Sequence, residues 1–318
     1  MTKRRKRRRD PSGYRAQPAA AERTPADPSA SSPGLLGRFL GPPTPAAASA
    51  MPLLRTTLGQ GFLLVGSSPV LLLVPFGVLL LVWIALLAAG YVGTPMTLAS
   101  FFAMPPVSTA FDTQLLVAIL GQQAGIPVAL AFLLLRSVIV AVLAGLIVEG
   151  FGRAGAVSSV GLTKGLRAVP VVAASLVLEF AGLLVGQFAL LLGPGIGVML
   201  QLFVPALLLY LLGFVPFAAV QVRLGLRETL RVSVTAARTP GGRHLSLSIL
   251  YVVAAFILPL LIPGRLATAN PSFATWVGIL LVTFVQLGFT AGFGYRWMAV
   301  GSTVIATAEE VPAGAQRR

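Results

Sequence analysis

The chain has 318 residues, of which 56% are hydrophobic and only 10% charged, against roughly 45 to 50% and about 25% in an ordinary soluble domain. That balance excludes a soluble globular enzyme, and recurring apolar runs of about 20 residues, the length needed to cross about 30 Å of hydrocarbon, point to a polytopic membrane protein. The formal net charge is +15, and the chain contains no cysteine and a single histidine, which excludes disulfides, thiolate metal ligands and a His-based metal centre. Neither metal nor cofactor is therefore expected.

Residues 1–52 are rich in Pro, Ala and Ser, begin MTKRRKRRRD and carry no periodic apolar stripe. Such a segment cannot bury enough surface to offset the entropy of ordering, and it reads as a disordered basic tail. The first apolar stretch, residues 69–91, is longer than a secretory h-region of about 7 to 15 residues, so no cleavage is expected. Residues 53–300 read as a six-span membrane domain and 301–318 as a short cytoplasmic tail. The predicted spans are residues 69–91, 126–148, 168–192, 195–219, 245–263 and 272–295. Gly193-Pro194-Gly195 makes a tight hairpin of the third and fourth. The short run FDTQLLVAIL at 111–120 reads as an interfacial or re-entrant helix rather than a seventh span.

Orientation follows from where Lys and Arg fall, since cytoplasmic loops retain positive charge. Of the 24 basic residues, all but Arg265 and Arg136 fall on one side of a six-span threading. Both termini are then cytoplasmic, and Arg296 counts with the C-terminal tail. Three segments that precede outward-going spans, 54–68, 152–167 and 222–238, read as amphipathic helices lying on the cytoplasmic surface. In the third, Arg223, Arg227, Arg231 and Arg238 form a stripe beside an apolar arc of Val222, Leu226, Leu230 and Ala237. Such a helix buries the arc among acyl chains while its Arg side chains reach phosphates. The three units have the design of a degenerate repeat of surface helix plus hairpin.

The stretch LGFVPFAAVQVRLGLRETLRVSVTAARTPGGRHLSLSIL, ending at residue 250, joins a span, a surface helix with Leu226, Leu230 and Ser233, a Gly-bearing basic loop and another span. It resembles bacterial six-span integral membrane proteins related to the membrane domain of glycerophosphodiester phosphodiesterases. The similarity extends more vaguely to residues 150–190. The resemblance implies an all-α, polytopic bundle of six transmembrane helices. It implies no activity: only 23 residues follow Tyr295, the hydrolytic barrel of the full phosphodiesterases is missing, and no catalytic residue carries over.

Arg136 and Glu179 are the charges furthest from any predicted boundary, and an intramembrane charge costs about 2.5 to 3.5 kcal/mol on insertion scales. Each should face the interior or a partner, and the antiparallel spans bring them to matching depth. One reading is a polar point on a path for a solute or lipid headgroup. The plainer reading, preferred because no further charges extend a pathway, is a buried pair that fixes helix register. Gln187 and Gln201 read as an interhelical amide contact, with Gln286 and Thr283 as contributors to the same interior. Small residues four apart, Gly182 with Gly186, Ala141 with Gly145 and Gly288 with Gly292, allow close helix approach within one chain or between two copies.

The run Lys3, Arg4, Arg5, Lys6, Arg7, Arg8 and Arg9 lacks interleaved aromatics or a folded reader, so attraction to anionic lipid explains it better than nucleic acid does. His244 reads as a surface or headgroup contact, Asp112 as a helix cap, and Glu149 as the i, i+4 partner of Arg153. The expected function is a non-enzymatic protein of the bacterial cytoplasmic membrane that organises lipid or a partner protein through its basic inner face. Its expected partners are anionic headgroups, with a second copy, another membrane protein or an ATPase as further possibilities. The alternative is a transporter or permease subunit built on Arg136 and Glu179. An intramembrane enzyme ranks last, because no paired catalytic groups are present.

Overall fold

The computed structural model describes residues 51–88, 126–153, 159–188, 193–221, 225–239, 242–257 and 273–310. The chain divides into Met1–Pro42, which lies outside that set, and Pro43–Arg318. The segment 111–120, Asp112, Arg265 and the basic run also lie outside the described residues.

Among the described residues the structure is all helical, with nine helices: α1 Leu54–Ser67, α2 Val70–Ala88, α3 Ile126–Gly152, α4 Ser159–Phe188, α5 Pro194–Leu212, α6 Val215–Gln221, α7 Leu226–Ala237, α8 Gly242–Ile257 and α9 Phe273–Glu310. Four stretches are long and apolar enough to cross a membrane: Leu133–Gly152, Ser159–Glu179, Phe203–Gln221 and Trp276–Ile305. A fifth is obtained if the bent pair α1 and α2 is taken as one span.

The helix boundaries follow local chemistry. Between α1 and α2 the chain turns through 76°. There Ser67 Oγ donates to the Leu64 carbonyl at 3.1 Å, and Pro69, with no N–H and a fixed φ, starts the new direction. Before α5, Gly193 has φ +125°, a conformation that suits a residue without Cβ, and Pro194 then fills the first helical position. The predicted fourth span has a two-residue turn at Gly213 and Phe214 between α5 and α6, within the single stretch Phe203–Gln221. The Gly213 N–H closes α5 on the Leu209 carbonyl at 2.9 Å, and Pro216 has no N–H with which to carry the ladder across the turn.

Three sequence expectations meet differences here. The segment 152–167 is not a separate surface helix, because α4 runs unbroken from Ser159 through Pro170 to Phe188. Its first turns are held upright by glycine contacts: a Cβ on Gly145 would stand 2.9 Å from the Gly165 N, and one on Gly165 would stand 2.6 Å from the Ala141 carbonyl oxygen. Backbone packed this closely leaves no freedom to lie flat on a surface. The fifth predicted span starts earlier than expected, at Gly242 in α8, and its residues beyond Ile257 lie outside the described residues. The last helix continues past Tyr295 to Glu310.

The α1–α9 pair repeats the α3–α4 device. Gly61 faces the Gly288 carbonyl, and a Cβ on it would stand 2.8 Å from the Gly292 N. Gly288 with Gly292 and Ala141 with Gly145 are therefore spent on packing within one chain, and the surroundings of Gly182 and Gly186 lie outside what the structure describes. Around these seams the core gathers Leu71, Ile147, Val172, Leu209, Phe217 and Leu287. The outward face is also apolar, with Leu73, Leu81, Leu134, Val177, Met199, Phe203 and Leu281 exposed. Water disfavours such a surface, and acyl chains suit it.

Candidate functional site

The helix α7 carries the predicted Arg stripe. Thr229, Val232, Ser233 and Ala236 are buried, spaced three and four apart so that they form one face. That face packs toward α5 and α9, and Ser233 Oγ donates to the Leu211 carbonyl at 2.8 Å. Opposite it, Arg227 and Arg231 are exposed and Arg238 is half-buried, while Arg223 and Val222 lie outside the described residues. The expected apolar arc is not wholly free for acyl chains, since Ala237 is buried in the bundle and Leu226 and Leu230 are half-buried. The reason is the small-residue face: Thr, Ser and Ala let α7 approach its neighbours closely, and Ala237 goes in with them.

Arg136 and Glu179 are both buried, on α3 and α4. The glycine contacts fix the register of this antiparallel pair and place the two Cα atoms at levels ~11 Å apart, about seven residues at 1.5 Å each, rather than at equal depth. Helix side chains lean toward the N-terminus, so in an antiparallel pair these two lean toward each other and the Arg136 charge acts on the Glu179 carboxylate. Neither Glu179 oxygen has a hydrogen-bond partner among the described residues. Gln286 on α9 is likewise buried with both amide atoms unpartnered, and Thr283 is buried. The side chains of Gln187 and Gln201 lie outside the described residues.

A second polar cluster was assigned to the surface from the sequence and is buried in the structure. Arg296, placed with the cytoplasmic tail, is fully buried in α9, as is His244 at the start of α8. Arg296 Nε donates to Thr57 Oγ1 at 3.0 Å and its Nη1 to the Arg243 carbonyl. Arg243 Nη1 in turn donates to the Met51 carbonyl at 2.8 Å. The His244 ring stacks on Phe214, with centroids 4.2 Å apart, and meets the Phe293 ring edge-on. Trp297 Nε1 donates to Gln221 Oε1 at 2.6 Å. The signal for this burial was a stripe of Phe289, Phe293, Trp297, Val300 and Val304, which continues the helical period beyond the predicted end of the span.

Glu149 is engaged twice: with Arg153 at 3.2 Å, as the spacing predicts, and as acceptor of the Gly161 N–H. A carboxylate there satisfies a free N–H in the first turn of α4 and lies at the favourable end of its dipole. Among the described residues, no group of three or more His, Cys, Asp or Glu is placed to hold a metal ion.

Comparison with family models, with curated proteins and with solved structures finds no match to this chain. The fold and its polar sites thus define a class only, a helical bundle with, among the described residues, four to five helices long and apolar enough to cross a membrane.

Proposed function

We propose that this chain is a non-enzymatic, multi-pass protein of the bacterial cytoplasmic membrane that gathers anionic lipid or a partner protein on a basic inner face. In this reading the chain crosses six times, both termini are cytoplasmic, and the tail with Lys3 to Arg9 adds its charge to the same side. The observation that carries it is α7, which is pinned to the bundle through Ser233 while Arg227 and Arg231 stand exposed on the opposite side. A helix held rigidly with two guanidinium groups outward presents fixed charge to headgroup phosphates, and each basic residue near such a surface contributes about 1 kcal/mol. The test is lipid enrichment around the protein reconstituted in vesicles of mixed neutral and anionic lipid. Wild type enriches the anionic lipid, less so at high salt, and Arg227→Gln with Arg231→Gln lowers the preference several-fold. An unchanged preference in the double variant overturns the reading.

A second reading, a transporter or permease subunit, draws on Glu179, whose buried carboxylate lies within the field of Arg136 yet accepts no hydrogen bond from the described residues. Vesicles loaded with a pH dye test it. Flux above that of protein-free vesicles, lost in Glu179→Gln, supports the reading, and flux equal to that of protein-free vesicles removes it.

A further inference from the structure

We propose that Arg243, His244 and Arg296, gathered at the first turn of α8, form a binding site for a phosphate group. The site is separate from the exposed Arg227 and Arg231 face and does not rest on that reading.

Donor accounting carries the proposal. Arg296 is fully buried, and two of its nitrogens meet neutral acceptors, the Thr57 hydroxyl and the Arg243 carbonyl. Its Nη2 has no partner. His244 is equally buried; its ring has a backbone hydrogen-bonding interaction with Tyr210, but no bond of ordinary geometry reaches either ring nitrogen. Arg243 is exposed at the mouth of the cluster and also binds a neutral acceptor, the Met51 carbonyl. The three groups lie close enough for Arg296 to act electrostatically on His244 and Arg243 on Arg296.

Among the residues whose side chains are described, no carboxylate compensates the positive charge. Among the described residues Glu149 is committed to Arg153 and the Gly161 N–H, Glu179 lies in the field of Arg136, and Glu228 is exposed on α7. None of them pairs with this cluster. A buried guanidinium is costly unless a counter-charge is supplied, and the acceptors it meets among the described residues, the Thr57 hydroxyl and the Arg243 carbonyl, are neutral. The first turn of α8 adds its own free N–H groups and the positive end of its dipole.

A site that offers donors and positive charge and no carboxylate selects an anion with several acceptor oxygens. A tetrahedral phosphate matches the guanidinium fork, the imidazole and the helix N–H groups together. Entry is from the Arg243 side, where the phosphate replaces the Met51 carbonyl and the Thr57 hydroxyl as acceptors. Charge-assisted bonds of this kind are about twice as strong as neutral ones. Met51 and the first turn of α1, which supply the displaced acceptors, lift to admit it, while the centre of α1 stays held to α9 at Gly61.

The phosphate group has two sources, a lipid headgroup and free phosphate, and the assay separates them. The full chain, purified in a neutral detergent and phosphate-free buffer, is titrated with dihexanoylphosphatidylglycerol and, separately, with inorganic phosphate. The midpoint of thermal unfolding is read against sodium chloride at matched ionic strength. The expected result is saturable stabilisation by one probe, unchanged in Arg227→Gln with Arg231→Gln and weakened at least tenfold in apparent affinity by Arg243→Gln and by His244→Phe. The first of these single variants alters an exposed side chain, and the second keeps the ring on Phe214. The stronger probe identifies the source. Stabilisation by neither probe, or equal stabilisation by sodium chloride, overturns the site, as does undiminished affinity in Arg243→Gln. None of these outcomes bears on the surface reading, which the α7 double variant tests alone.

Discussion

Replacing Gly61 by Ala tests the contact on which the α1–α9 seam depends. The added Cβ points at the Gly288 carbonyl oxygen and would stand 2.8 Å from the Gly292 N and 3.2 Å from its Cα. All three atoms are backbone, so no rotamer change relieves the clash and the two helices must move apart. Overpacking of this kind costs about 1 to 3 kcal/mol, occasionally more, and the better helix propensity of Ala returns up to about 1 kcal/mol. Gly59, two residues earlier on the same helix, is the internal control, because a Cβ there meets nothing within 4 Å. The net cost is about 1 to 2 kcal/mol, and at about 2 to 4 °C per kcal/mol for a large chain, Gly61→Ala should lower the unfolding midpoint in detergent by about 2 to 8 °C. Gly59→Ala should leave it unchanged or raise it slightly. Equal midpoints for the two variants would refute the backbone contact and with it the account of why α1 packs on α9.

Gly165→Ala should cost a similar amount, since its Cβ would stand 2.6 Å from the Ala141 carbonyl oxygen and 2.7 Å from the Val142 Cα; the same unfolding assay reads it. Glu149→Gln should destabilise by about 1 kcal/mol and Arg153→Gln by less, because the Arg153 side chain is 56% exposed and surface pairs contribute little; the reverse order would show that the ion pair outweighs the helix cap. Trp297→Phe and Gln221→Met each break the bond at 2.6 Å and leave a polar partner behind. The double variant should therefore be more stable than the two single losses predict, by about 1 kcal/mol, and strict additivity in denaturant titration would show that the bond contributes nothing.

Hydropathy made the long helices legible, because apolar runs in α3, α4 and α9 exceed what a soluble core needs, and Gly193-Pro194 marked where α5 begins. The path of α4 was not legible. Lys164 and Arg167 give residues 159–168 the character of a surface helix, whereas Gly161 and Gly165 hold them upright against a partner surface at Ala141 to Gly145 on another helix. Only the register between helices reveals that match. Charge counting failed at Arg296 for a related reason. The rule places an Arg by its neighbours in sequence, whereas this one is buried against Thr57, 239 positions away. Arg136 and Glu179 were recognisable as costly intramembrane groups from their setting alone, but their offset depends on the α3–α4 glycine register, and no spacing within either helix encodes it.

The Gly61 notch has a temporal side. It is made early, and the surface that fills it, Gly288 and Gly292, comes more than two hundred residues later. At ~5 to 20 residues per second, α1 waits on the order of 10 to 50 s for its partner. Until then its glycine face lacks the backbone it packs against, and Thr57 lacks the Arg296 guanidinium. A chain interrupted before α9 thus lacks the backbone surface against which Gly61 packs.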